Sequence, residues 1–377
     1  MMRACRVFLA WVLVGCASPW LAAAEVELTH VDVFTSGAEG YHTFRIPCVA
    51  RTADGTLHAF AEGRLTNRSD PGGTHIDLVY KRSTDGGKTW SPLVLLDRHP
   101  ETNLADLEND RTAASNAVAL VDHTNDRLWL FDTRLVKRDL GSFQMWELHS
   151  DDGGATWSQP GRIRVPRHEA PGKSDVYPNL GSGIQMQSGR LVVPATRRTS
   201  EADTQSFALY SDDHGGQWQA GEVVEAACNE AQIVELSDGR LLMSVRPNEG
   251  DVRLGALSSD GGENWTKPAP LFPSTRVAEA IERYTRAGEG DETRNRLLHT
   301  IPAGGPLGAR SNLEIRVGYD EGVSFSNSRR VYAGYAAYSD LVKIDSDRVG
   351  ILWERGEKTS YQFITFTVVG RSFLEPK

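Results

Sequence analysis

One eight-residue pattern recurs along this chain often enough to dictate a fold class before any chemistry is considered. It reads Ser83-Thr84-Asp85-Gly86-Gly87-Lys88-Thr89-Trp90 and returns at Ser150–Trp157, Ser211–Trp218 and Ser258–Trp265. A worn fifth copy runs from Gly318 to Phe325, with Asp320 and Gly322 in place. In each copy the Asp can cap a tight turn, the Gly accepts positive φ, and the aromatic residue can pack back under the hairpin. Four full matches and a decayed fifth are a repeat, and a repeat of hairpins implies an architecture of repeated strands.

A fainter turn interleaves with these boxes. It ends in a branched apolar residue at Asp54–Leu57, Asn125–Leu128, Ser188–Leu191, Asp238–Leu241, Arg294–Leu297 and Ser346–Val349. Short β-rich runs flank the turns at Thr56–Phe60, Leu128–Phe131, Leu191–Pro194, Leu241–Val245 and Val349–Trp353, and no long helical period interrupts them. Units of about fifty to seventy residues with two tight turns each suit four-stranded propeller blades. The expected fold is all-β, a six-bladed β-propeller. The sixth unit lacks a box, so Tyr361–Val369 is expected to complete a sheet begun by an N-terminal strand near Val31–Phe34, which protects the edges.

The repeats span nearly all of the 377 residues, so a single propeller over 25–377 is expected, with no linker or second domain. The start has the form of an export signal over 1–24: Arg3 and Arg6, the apolar run Phe8–Val14, then Ala22-Ala23-Ala24. Leu13-Val14-Gly15-Cys16 also fits a bacterial lipoprotein signal, in which Cys16 carries a lipid at the cell envelope. Either way the chain is expected to be exported, periplasmic or secreted, with no later segment apolar for long enough to span a membrane. Loss of the two arginines takes the formal charge from −9 to about −11, which argues against nonspecific nucleic-acid binding. Cys48 and Cys228 are too few for a disulfide framework and read as buried free thiols. The histidines show no zinc-type spacing, so neither metal nor cofactor is expected. Nothing in the pattern marks an oligomer, and a monomer is expected.

Counting back from the branched turn positions exposes a ring of reactive side chains. Arg45 lies twelve residues before Leu57, Glu230 eleven before Leu241, and Tyr338 eleven before Val349. The equivalent places in the other units hold Asn116, Asn179 and Thr285–Arg286. If that place is the central end of an innermost strand, these side chains line one mouth of the propeller axis, where a ligand would bind.

Tyr41-His42-Thr43-Phe44-Arg45-Ile46-Pro47 resembles the F/Y-R-I-P signature of exo-sialidases, and the boxes resemble the Asp boxes of the same family. The resemblance covers about Val31 to Val369. It implies three arginines gripping a substrate carboxylate: Arg45 through F-R-I-P, Arg246 in Ser244-Val245-Arg246-Pro247, and Arg310 in Gly308-Ala309-Arg310-Ser311, with Arg316 as a nearby rival. Guanidinium groups suit this task because they stay charged and offer paired donors. The resemblance also implies that Asp70 is a general acid/base on a loop over the mouth. Asp-Pro-Gly is good turn chemistry in its own right. Asp77 is the rival carboxylate, in a strand-like setting. Tyr338 matches the family's nucleophile and Glu230 its base partner. Glu354 resembles a carboxylate that orients the first arginine, and Arg64 a further site arginine.

The Tyr–Glu pair makes chemical sense. A sialoside already carries a carboxylate at its anomeric carbon, so a neutral phenol, deprotonated as it attacks, avoids the repulsion that a carboxylate nucleophile would meet. The resemblance therefore implies a retaining exo-α-sialidase acting on sialylated glycans, glycoproteins or glycolipids. A noncatalytic sialoside-binding propeller would keep the arginines and usually lose the tyrosine, glutamate or aspartate. An enzyme for a deaminated sugar of the same kind, or a transferase, would use the same set.

Overall fold

The computed structural model describes residues 28–135, 143–169, 175–200 and 203–375. The expected export signal and Cys16 lie outside the described residues. Each box closes a hairpin by the same hydrogen bonds. The Asp85 carboxylate accepts from the Lys88 and Thr89 N–H groups at 3.0 Å each and from Thr89 Oγ1 at 2.6 Å. Ser83 Oγ accepts from Gly87 N–H at 2.9 Å. Asp152 and Ser150 repeat the arrangement around Gly154 and Thr156, as do Asp260 and Ser258 around Gly262 and Asn264. In the worn copy Asp320 still holds Ser324, although Gly318 has replaced the serine.

These hairpins organise antiparallel units of four strands, and the described residues are all-β apart from the single helical turn Arg371–Leu374. The first unit runs Thr43–Arg51, Leu57–Arg64, Ile76–Ser83 and Val94–Asp97. The last joins the end of Asn327–Lys343 to Arg348–Gly356, Phe363–Gly370 and the N-terminal strand His30–Thr35, which pairs antiparallel with Phe363–Gly370. The strand foreseen near Val31–Phe34 thus closes the sixth unit.

Three features depart from six separate sheets, the first being the parallel bridge from Ile76 to Ala113 that joins the first and second units in one sheet. Asn327–Lys343 is one 17-residue strand whose first half pairs with Ser311–Gly318 and whose second half pairs with Arg348–Gly356. The fifth and sixth units therefore share a sheet. In the third unit the innermost strand is broken into Asp175–Pro178, Gly181–Ser182 and Ile184–Gln185, and its middle piece pairs in parallel with Val118 and Ala119 of the second unit.

The boxes also lock neighbours together, a role beyond turn capping. Gly87 lies against Phe366 of the sixth unit, Gly154 against Tyr80 of the first, and Gly215 against Trp129 of the second; a Cβ at any of the three would overlap those rings. The box aromatics follow the same rule. Trp90 meets Phe366 at 5.4 Å, Trp157 meets Tyr80 at 5.8 Å, and Trp218 meets Phe131 at 5.0 Å, all edge to face.

The innermost strands converge on Asp340. Its buried carboxylate accepts from Val49 N–H at 2.9 Å, Ser182 Oγ at 3.0 Å and Gln232 Nε2 at 3.2 Å, while Gln232 Oε1 accepts from Ile281 N–H at 2.9 Å. Five units are thereby tied at the centre. Burial pushes the Asp340 carboxyl up to about 6, against the pull of those donors.

Candidate active site

The innermost strands carry β-bulges at corresponding ends, and the site is built on them. Register shifts fall between Arg45 and Cys48, Ser115 and Val118, Cys228 and Ala231, and Ala336 and Ser339. A bulge adds a residue and re-aims a side chain. That is why Arg45, Glu230 and Tyr338, at nearly the same place in the repeat, meet in space. Ile46 sits in its bulge at φ 60°, a conformation that is costly for a β-branched residue. Its N–H donates to Glu354 Oε1 at 3.1 Å, and its side chain packs with Leu180, Val277, Ala278, Ala337 and Tyr338.

Glu354 is fully buried and anchors two elements of the site. Its oxygens accept from Arg45 Nε at 2.6 Å and Nη2 at 3.2 Å, and from the Tyr338 N–H at 3.3 Å. Burial opposes the Arg45 charge, but Glu354 outweighs it and keeps the guanidinium firmly protonated. Tyr338 Oη donates to Glu230 Oε1. Arg246 Nη1 donates to Glu230 Oε2 at 2.6 Å and to Tyr338 Oη at 3.3 Å. Burial, and then the charge of Glu230, push the Tyr338 phenol well above its ordinary value, although Arg246 and Arg45 pull the other way. The phenol is therefore neutral at rest, with a carboxylate in contact that can accept its proton and a guanidinium in contact with its oxygen.

Arg310 completes the set of three guanidiniums. Its Cζ lies 5.4 Å from the Tyr338 ring centroid and Arg45 Cζ lies 5.1 Å from the same ring. The rival Arg316 is paired with Glu314 at 3.1 Å instead. Arg64 is buried and held by Glu62 through Nε at 2.9 Å and Nη2 at 2.6 Å, and its Nη1 reaches Asp70 at 3.1 Å. The Asp70 side chain is 84% exposed where that of Arg64 is 1%. Asp70 thus stands on a solvent-facing loop tethered to a buried cation. Its rival Asp77 is committed to structure: it accepts from Tyr41, His75 and Arg98 and is fully buried. Asp110, in the acidic segment Asn103–Asp110, likewise spends its oxygens on Asn103, Thr112 and His75.

The spacing rule fails in the fifth unit. Thr285 and Arg286 lie at the opposite end of the innermost strand, where Arg286 pairs with Glu235 at 2.6 Å and lines a cavity of about 550 Å³. The reason is loop length: Arg283 pairs with Leu297 across thirteen intervening residues, whereas Glu235 pairs with Leu241 across five. Counting back through the longer loop stops short, and the fifth unit instead presents Val277 and Ala278 to the apolar floor beside Tyr338. Asn179 is buried and accepts from Thr196 Oγ1 at 2.8 Å. Its neighbour Leu180 is the residue that joins the floor. Spacing also missed Tyr361, which contacts Arg45 and Arg310 from the hairpin between Arg348–Gly356 and Phe363–Gly370 of the sixth unit. Cys48 and Cys228 are buried free thiols.

Residues 55–351 match the BNR repeat-like domain. The chain is 31% identical to a sialidase of Micromonospora viridifaciens over 353 residues, which is 88% of this chain and 53% of that protein. It therefore spans about half the length of that relative. In three dimensions it resembles the Hadza microbial sialidase Hz136 with a TM-score of 0.79 at 24% identity, over 90% of this chain and 68% of that one. It also resembles the intramolecular trans-sialidase of Ruminococcus gnavus with a TM-score of 0.76 at 19% identity, over 92% and 98% of the two chains. No helix among the described residues is long and apolar enough to cross a membrane.

Proposed function

The chain belongs to the BNR repeat-like family, and from that premise we propose that it is an exported, retaining exo-α-sialidase folded as a single six-bladed propeller over 25–377. The observation that carries this reading is the buried contact of the Tyr338 phenol with Glu230 and Arg246, flanked by Arg45 and Arg310. The propeller reading draws support from the box contacts, which run from the third unit to the second, from the second to the first, and from the first back to the sixth.

In this reading Arg45, Arg246 and Arg310 bind the carboxylate of a terminal sialic acid. Tyr338 Oη attacks the anomeric carbon while its proton passes to Glu230, and Asp70 protonates the departing glycosidic oxygen as that bond breaks. Arg246 stays against the reacting oxygen. The tyrosyl–sugar bond is then broken by water, whose proton goes to Asp70, and the phenolate recovers its proton from Glu230. Two displacements restore the starting configuration. Glu354 holds Arg45 and the Tyr338 backbone in register, and Arg64 tethers Asp70.

The test is turnover of a fluorogenic α-N-acetylneuraminide by the mature chain, with Tyr338→Phe and Asp70→Ala alongside. The parent should release the sugar, and each variant should lose about 10²–10⁴-fold in kcat with its fold intact. Undiminished turnover in Tyr338→Phe sinks the nucleophile assignment. A parent inert toward both the N-acetylated and the deaminated sugar points to a binding propeller.

A further inference from the structure

Tyr361 was not reached by the repeat spacing, yet it touches two of the site's arginines, Arg45 and Arg310, and a third, Arg68. It lies in the hairpin between Arg348–Gly356 and Phe363–Gly370, half-buried, and packs against the apolar floor of Ile46, Leu180, Val277, Ala278, Ala337 and Tyr338. Arg45 Cζ lies 4.4 Å from its ring centroid and Arg68 Cζ 5.8 Å from it. Its hydroxyl accepts from Arg310 Nη1 at 2.6 Å. One side chain therefore meets three guanidiniums, two through its ring and one through its oxygen.

The three arginines of the proposed carboxylate grip are not equally compensated. Arg45 is paired with Glu354 and Arg246 with Glu230, both at 2.6 Å. Arg310 has no carboxylate within ion-pair distance among the described residues, and its side-chain acceptors are the Tyr361 hydroxyl and the Arg276 carbonyl oxygen at 3.4 Å. A neutral phenol can aim a guanidinium without cancelling its charge. A carboxylate in the same place would aim it and also compete with the substrate. The ring meanwhile lies against Arg45 and limits the directions in which that guanidinium can swing.

We propose that Tyr361 is a positioning residue. It aims the uncompensated charge of Arg310 through its hydroxyl, and it sets the spacing of Arg45 and Arg310 through its ring. The site can then take one carboxylate between them. The assignment rests on the reading of Arg45, Arg246 and Arg310 as the carboxylate grip, and it acts on binding more than on the chemical step.

The test is a kinetic comparison of the parent with Tyr361→Phe, Arg310→Lys and the double variant, reading KM and kcat for the fluorogenic sialoside and inhibition by free N-acetylneuraminic acid. Tyr361→Phe keeps the ring and loses the acceptor. It should raise KM and the inhibition constant about tenfold, the range of one hydrogen bond to a charged group, and change kcat less than about threefold. In the Arg310→Lys background the same change should have little further effect, because the group that the hydroxyl aims is already altered. An unchanged KM in Tyr361→Phe, a loss confined to kcat, or fully additive losses in the double variant would each overturn the proposal. A parent with neither turnover nor inhibition would remove the sialidase reading and this one with it. Normal parent turnover with an unchanged Tyr361→Phe would remove this one alone.

Discussion

Glu354 shows how much of the site hangs on one buried carboxylate. It meets Arg45 twice, the Ile46 N–H and the Tyr338 N–H, so it joins the first and sixth units at the point where both bulge. The left-handed Ile46 is held in place by this bond and by its seat in the apolar floor. Asp340, two residues after Tyr338, does comparable work below the site, and its environment makes a prediction about pH. Burial raises its carboxyl from 3.8 in the unfolded chain to about 6 in the fold. A raised carboxyl favours folding fully below the unfolded value and loses that contribution as pH rises through the folded value. The cost between pH 4 and pH 7 is ~2 kcal/mol. Glu282 lies within electrostatic reach, pushed up to about 8 by burial and by the charge of Asp340. Asp340→Asn should therefore flatten the pH dependence of the unfolding free energy over that window. Denaturant titrations of parent and variant at several pH values check it, and parallel profiles would contradict it.

At the scale of the element, the box hairpin acts at once as a turn and as a latch, and its two glycines separate the two tasks. Gly153 has φ 64°, and a methyl group added to it would come no nearer to another residue than 3.8 Å, from Asp54 Oδ2. Gly154 has φ 77°, and a methyl group there would overlap Tyr80 of the neighbouring unit. Gly153→Ala should cost only the left-handed backbone, about 1–2 kcal/mol. Gly154→Ala adds overpacking, for a total of about 2–5 kcal/mol. Chemical denaturation of both variants tests this, and equal losses would mean that the latch contributes nothing. The box turns were legible in the sequence because Ser, Asp, Gly and Trp each have one physical task there. Arg45, Glu230 and Tyr338 were legible because the distances from their bulges to the following turns agree to within one residue. Val277 and Ala278 were hidden by the longer loop after Arg283, and Tyr361 by lying between the second and third strands of its unit, away from the counted turn. The shared strand Asn327–Lys343 was hidden because its two halves belong to different units while no turn residue separates them.

Across the whole molecule, the box contacts and the hydrogen bonds around Asp340 place the arginines at one end of the innermost strands and a mixed-charge cavity, lined by Arg51, Glu282, Arg283, Arg286 and Lys343, at the other. The net charge of −9 does not conflict with an anionic substrate. Screening limits exposed charges to about 8–10 Å, so the local arginines govern the mouth. The same convergence brings Glu230 of the fourth unit against Tyr338 of the sixth, a contact of residues 108 positions apart. In the proposed mechanism Tyr338 bonds covalently to the sugar. A sialosyl fluoride with a second fluorine beside the anomeric carbon slows both displacements, the hydrolytic one most, so the intermediate should accumulate. Mass spectrometry of the proteolysed protein after this treatment is the most direct measurement. One sugar per chain is expected on the peptide containing Tyr338, and none on Tyr338→Phe. Release of the sugar by the parent with no adduct, or an adduct on Glu230 or Asp70, would contradict this mechanism.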